Sequence, residues 1–168
     1  MLRIILAIII GFVVWSILWV GSDAVFSIIS LEWGKTSEDF RAAVENNIPY
    51  TLDSKILIIL LIKSVIISII SGFVTAFIAR ETVDRDGADF PSIIATMVAR
   101  KNIKSPLALG ILLLLSGIFI QSIFWDYLPL WYHIVFLLLL IPMTILGSIF
   151  RRIYDESQVP FSRRKTLF

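Results

Sequence analysis

The sequence predicts an all-α, four-span transmembrane helical bundle with both termini in the cytoplasm, and three observations carry that prediction. Four apolar runs, 2–20, 56–79, 107–124 and 128–150, occupy most of the 168 residues. A hydrocarbon core of ~30 Å is crossed by about 20 apolar residues in a helix, a length each run reaches or approaches. Hydrophobic residues make up 58% of the chain and the mean hydropathy is +0.90, against roughly 45–50% apolar residues in soluble domains. The basic residues, finally, are segregated. Arg3, Arg80, Arg85, Arg100, Lys101, Lys104, Arg151, Arg152, Arg163, Arg164 and Lys165 fall on the side of the termini, whereas Lys35, Arg41 and Lys55 fall on the other. Cytoplasmic loops carry the excess of Lys and Arg, so both termini are expected inside. Residues 1–168 read as one integral membrane domain, with spans at about 2–22, 56–79, 106–124 and 128–150 and a cytoplasmic tail at 151–168.

Taken in order, the first run is too long for the h-region of a secretory leader, and Arg3 alone precedes it, so it reads as a span. In the outer loop, Thr36, Ser37, Glu38 and Asp39 offer an N-cap and first-turn acids. Phe40, Ala43, Val44 and Ile48 recur at helical spacing until Pro49, which predicts a short amphipathic helix lying in the interface. The second span carries Ser64, Ser68, Gly72 and Ala76 at intervals of four. Small residues so spaced let helix backbones approach closely where lipid supplies no hydrophobic drive. This packing face serves either a dimer or an internal contact, the internal partner being the first span, where Gly11 occupies a similar Gly-Phe-Val context.

In the inner loop Ser92 can cap a helix to about Arg100, with Ile93, Ile94, Met97 and Val98 on one side. Arg100, Lys101 and Lys104, together with Arg151 and Arg152, then face the cytoplasmic head groups. Contact with anionic lipid contributes about 1 kcal/mol per basic residue; the plainer reading is topology alone. Asp84, Asp86 and Asp89 do not form a calcium loop. Counting from Asp84, position six is Asp89 and position twelve is Ala95, where Gly and Glu are needed. Near the outer ends of the spans, Trp19, Trp33, Tyr50, Trp125, Tyr127, Trp131 and Tyr132 form an interfacial aromatic belt. Pro142, in the fourth span, shapes its helix.

Composition excludes several functions. The chain has no cysteine, so disulfides, thiolate metal sites and thiol catalysis are absent. His133 is the only histidine, which excludes a multi-histidine metal centre. The net charge of +2 does not suggest nucleic acid. A small multidrug transporter would hold a glutamate in its first span, and claudin-like or tetraspanin-like proteins carry loop cysteines; this chain has neither feature.

What remains is a polar constellation. By helical rise, Asp23, Lys63, Gln121, Asp126 and His133 all stand roughly 22–30 Å above the residues closing the cytoplasmic end of their spans. Such a cluster either binds an anionic head group or relays protons, or else Lys63 snorkels outward to a carboxylate, most plausibly Asp23, and the others sit in the interface. The half of the bundle near the termini holds no ionisable residue, which argues against a path across the membrane. The cluster lacks a nucleophile–base–orienter set, so a non-enzymatic role without cofactor is expected. The leading expectation is an accessory or assembly subunit of a larger complex in a bacterial-type inner membrane. The alternative is a small lipid or solute transporter acting as a homo-oligomer. Expected partners are membrane lipids, anionic on the cytoplasmic side, and other membrane subunits or a second copy.

Overall fold

The structure is a computed structural model that describes residues 2–79 and 104–158. Asp84, Asp86, Asp89, the Ser92 segment, Arg100, Lys101 and the side chain of Arg152 lie outside what it describes. Five α-helices make up the described chain: α1 Leu2–Ile29, α2 Leu31–Glu45, α3 Ser54–Ala79, α4 Lys104–Ile123 and α5 Leu130–Gln158. Helices α1, α3 and α4 and the Leu130–Arg151 part of α5 are long and apolar enough to cross a membrane.

Three boundaries differ from expectation, two of them for an identifiable reason. Helix α1 does not stop where its apolar run stops, near position 22, but continues to Ile29. Polar residues end an apolar run without ending a helix, and here they fold back on it. Ser22 Oγ donates to Trp19 O at 2.9 Å and Ser27 Oγ to Asp23 O at 2.8 Å, the i−3 and i−4 contacts open to serine within a helix. The chain leaves helical geometry only at Ser30 (φ −125°, ψ 112°). Ser30, rather than Thr36 or Ser37, therefore caps α2: its Oγ accepts the Trp33 N–H at 3.2 Å, satisfying one orphan donor. At its other end Asn47 adopts φ 52° and Ile48 N–H reaches Ala43 O at 2.9 Å. This is a Schellman closure with asparagine in the left-handed position, and Pro49 follows it. Helix α5 likewise extends past position 150 to Gln158, so the first part of the expected tail is helical.

Each long helix buries one stripe at intervals of about four residues: Ala7, Gly11 and Trp15 on α1; Ser64, Ser68, Gly72 and Ala76 on α3; Leu109, Leu113 and Gly117 on α4; Phe136, Leu140, Thr144 and Ser148 on α5. Helix α3 lies at the centre, touching α1, α4 and α5, with its most extensive interface on α5. A Cβ on Gly72 would overlap the Thr144 carbonyl, and one on Gly147 would overlap the Ile69 carbonyl. The two glycines thus let α3 and α5 meet backbone to backbone, which is how packing holds helices together where lipid gives no hydrophobic drive. Gly11 meets Thr75 and Leu109, and Trp15 Nε1 donates to Ser68 Oγ at 3.2 Å. The small-residue face of α3 therefore serves two internal partners, α1 through Ser68 and Thr75 and α5 through Gly72.

Candidate functional site

Helix α2 folds back across one end of the bundle. Phe26 and Trp33 pack with ring centroids 5.2 Å apart, anchoring α2 to α1. Phe40 packs against Tyr50 at 6.0 Å, Phe124 at 5.7 Å and Tyr127 at 6.1 Å. Beneath this roof lies a cavity of about 810 Å³, within the 300–1,000 Å³ range in which small-molecule sites fall.

Every helix contributes one stripe to its wall. From α1 come Trp15, Trp19, Asp23 and Ser27, at a strict spacing of four. The roof presents Trp33, Phe40, Arg41, Val44 and Glu45 of α2. Ile56 and Leu60 of α3, Gly117 and Gln121 of α4, and Tyr132 and Phe136 of α5 complete it. Trp15, Tyr132 and Phe136 are buried while Ser37, Arg41 and Glu45 are exposed, so the lining grades from a buried aromatic floor to exposed polar residues of α2. Trp15 and Trp19 stack at 5.1 Å, and Phe136 meets Trp19 edge-on at 5.9 Å.

Of the five residues read as a polar cluster, the structure forms two pairs and leaves one apart. Lys63 Nζ lies 2.5 Å from Asp23 Oδ1, 3.3 Å from Trp19 O and 4.1 Å from the Trp19 ring centroid. The Lys63 side chain is 4% exposed and that of Asp23 41%. The ammonium is thus sealed under Trp19 and Asp23, while the carboxylate also fronts the cavity. A buried lysine is costly unless paired, and one carboxylate, one carbonyl and one indole face together meet that need.

The second pair joins α4 to α5. His133 Nδ1 is 2.7 Å from Gln121 Oε1 and Nε2 is 3.2 Å from Leu128 O, and Trp125 stacks on the imidazole at 4.8 Å. Leu128 O and Gln121 Oε1 both only accept, so a ring carrying one proton donates to one of them, and with the proton on Nε2 the Gln121 carboxamide must turn its amino group to Nδ1. Gln121 lines the cavity while its other amide end finds no partner among the described residues. The Tyr132 hydroxyl, also at the cavity, is likewise without a partner among them. Asp126 is exposed in the turn between α4 and α5 and touches neither pair.

At the opposite end, Arg3 Nε donates to Ile78 O at 2.8 Å, and the Arg151 guanidinium sits 4.9 Å over the Phe77 ring. Of the residues expected at lipid head groups, Lys104 is exposed at the start of α4, and Arg151 is half-buried against α3. Among the described residues, no group of three or more His, Cys, Asp or Glu could hold a metal ion.

Trp15, Trp33, Tyr132 and Phe136 were not singled out from the sequence as parts of a site. The signal was present in α1, where two tryptophans, an aspartate and a serine recur every four residues on one helix face. No protein-family model, curated protein or solved structure matches the chain, so the functional reading rests on this geometry.

Proposed function

We propose that the protein is a non-enzymatic membrane protein that binds a lipophilic small molecule in the cavity beneath α2, as part of lipid or solute handling. The cavity carries the proposal: it is large enough for a ligand, walled by aromatic rings, and provided with a few convergent polar groups. A binding role is favoured over a catalytic one because the two titratable pairs are already committed. Lys63 is tied to Asp23, and both ring nitrogens of His133 hold neighbouring elements together. In the proposed orientation the α2 end faces outward from a bacterial-type inner membrane, with the termini inside, as the distribution of Lys and Arg supports. The α3 small-residue face is occupied within the chain, so the binding function is assigned to the single bundle rather than to a dimer built on that face.

An accessory-subunit role is a second reading, supported by one observation. Helix α1 buries little of its surface and presents Ile5, Ile9, Val13 and Ile17 as an exposed apolar stripe, suited to lipid or to a partner's helix.

Native mass spectrometry of the protein released from its membrane separates the two. The ligand reading predicts a bound small-molecule mass that is lost in Ala24→Phe, since Ala24 is exposed and lines the cavity. A bound mass unchanged by that substitution would contradict the cavity reading. A second polypeptide at fixed stoichiometry would favour the subunit reading.

A further inference from the structure

We infer that the cavity selects a lipophilic molecule by a hydrogen-bond-donating head, an alcohol or an amine, and discriminates against anionic heads. The inference rests on the cavity reading above and deepens it. Its first ground is the placement of charge. Of the Asp23–Lys63 pair only Asp23 lines the cavity; Lys63 is 5% exposed and spends its ammonium on Asp23 Oδ1, Trp19 O and the Trp19 ring. A head group entering from the α2 side meets a carboxylate and not the cation that neutralises it. The pair as a whole is electroneutral, so an uncharged head is admitted, a cation is attracted to the near oxygen, and an anion is repelled. Charged lining groups of α2 do not reverse this: Arg41 and Glu45 are both exposed and of opposite sign, and exposed charges are screened within about 10 Å at ordinary ionic strength.

The second ground is hydrogen-bonding valence. Asp23 uses Oδ1 on Lys63, and its other oxygen can only accept. Elsewhere on the cavity wall, Tyr132 is 3% exposed and Gln121 5% exposed. Both line the cavity, and the Tyr132 hydroxyl and one end of the Gln121 carboxamide have no partner among the described residues. Neither atom is sealed from water, so a head group takes the place of water there, whereas Trp33 Nε1, on another lining residue, is a buried donor with no hydrogen-bond partner among the described residues. A head that donates to Asp23 and exchanges a hydrogen bond with Tyr132 or Gln121 satisfies two of the three. A hydroxyl does this with both its proton and its lone pairs; an ammonium does it by donation alone. A carboxylate or phosphate can accept from Tyr132, but it offers no proton to the free Asp23 oxygen and adds a second negative charge at the cavity. The rings of Trp15, Trp19 and Phe136 at the floor then take the apolar body.

The test uses the full chain in nanodiscs of uncharged phosphatidylcholine, titrated with decanol, decylamine and decanoate, which share one tail. Intrinsic tryptophan fluorescence is the readout, corrected for partitioning into empty nanodiscs. Decanol and decylamine should saturate, and decanoate should bind at least tenfold more weakly. Asp23→Asn should abolish that discrimination. Because Asp23→Asn also unpairs Lys63 and can impair folding, two variants sparing the Asp23 carboxylate complete the set. Tyr132→Phe should weaken decanol about fivefold, the worth of one neutral hydrogen bond, and Lys63→Met should raise the preference for decylamine over decanol at least tenfold. Equal saturable binding of all three probes would overturn the head-group inference while leaving the cavity reading intact. Tighter binding of decanoate would overturn it outright, and absence of saturable binding by any probe would remove both.

Discussion

Lys63 lies on α3 with its ammonium 2.5 Å from Asp23, yet the two partners are unequally buried, at 4% and 41% side-chain exposure. That asymmetry gives an ordered expectation. Asp23→Asn strands a cation in the interior, a change that typically costs about 3–5 kcal/mol. Lys63→Met leaves a carboxylate that still reaches the cavity, so it should cost less. In a thermal-melt double-mutant cycle, the double variant should lose less than the sum of the single changes; strict additivity would mean that the contact contributes nothing. His133 provides a parallel case. His133→Leu removes the partner of both Gln121 and the Leu128 carbonyl, and an unsatisfied buried polar group costs about 1–3 kcal/mol. His133→Leu combined with Gln121→Leu should be less destabilised than His133→Leu alone. Matched height along the spans was legible in the sequence for all five polar residues, because helical rise is fixed by backbone geometry. The Lys63–Asp23 pair was legible from their matched height on adjacent spans; the Gln121–His133 pair was not, since that depends on the rotation of each helix about its axis. Asp126 shares the height, but the turn between α4 and α5 points it to the surface.

At the scale of elements, the four long helices were readable because bilayer thickness dictates their length, and the small-residue stripe of α3 was readable from its period. Its division between α1 and α5 was not. Gly147 became significant only when Gly72 was found against Thr144 and Gly147 against Ile69. Gly72→Ala and Gly147→Ala should each lower the melting temperature, because a new Cβ must push two backbones apart; overpacking costs typically 1–3 kcal/mol. Gly21 faces open space and is the control: Gly21→Ala should leave the melt unchanged or raise it slightly, as alanine favours helix. A melt of Gly72→Ala equal to that of Gly21→Ala would contradict the close α3–α5 contact. The start of α2 was misread for a local reason. Thr36 and Ser37 satisfy the same capping preference as Ser30, and composition does not say which of three competent residues the chain uses. Ser30→Ala should weaken α2 by about 0.5–2 kcal/mol, visible as faster amide exchange in α2 with little change in α3.

For the whole molecule, charge segregation and four spans together predict that α2 and the chain end lie on opposite sides of one membrane. Single cysteines at Ser37, on α2, and at Ser162, in the tail, should label with a membrane-impermeant reagent from opposite faces of intact cells, Ser37 from outside. Labelling of both from one face would contradict the four-span arrangement.

The cavity emerges only at this scale. Each helix contributes a few residues that look ordinary in their own segment, and the chamber exists because α2 turns back at Ser30, packs on α1 and sets Phe40 against Tyr50, Phe124 and Tyr127. Its role as a binding site is tested most directly at its floor, where Trp15 is 7% exposed. In a variant with the other four tryptophans replaced by phenylalanine, a bromine-tagged single-chain alcohol should quench Trp15 fluorescence saturably in uncharged nanodiscs, and Ala24→Phe should abolish the saturable component. Quenching that rises only in proportion to the probe dissolved in the bilayer, with no effect of Ala24→Phe, would contradict the account.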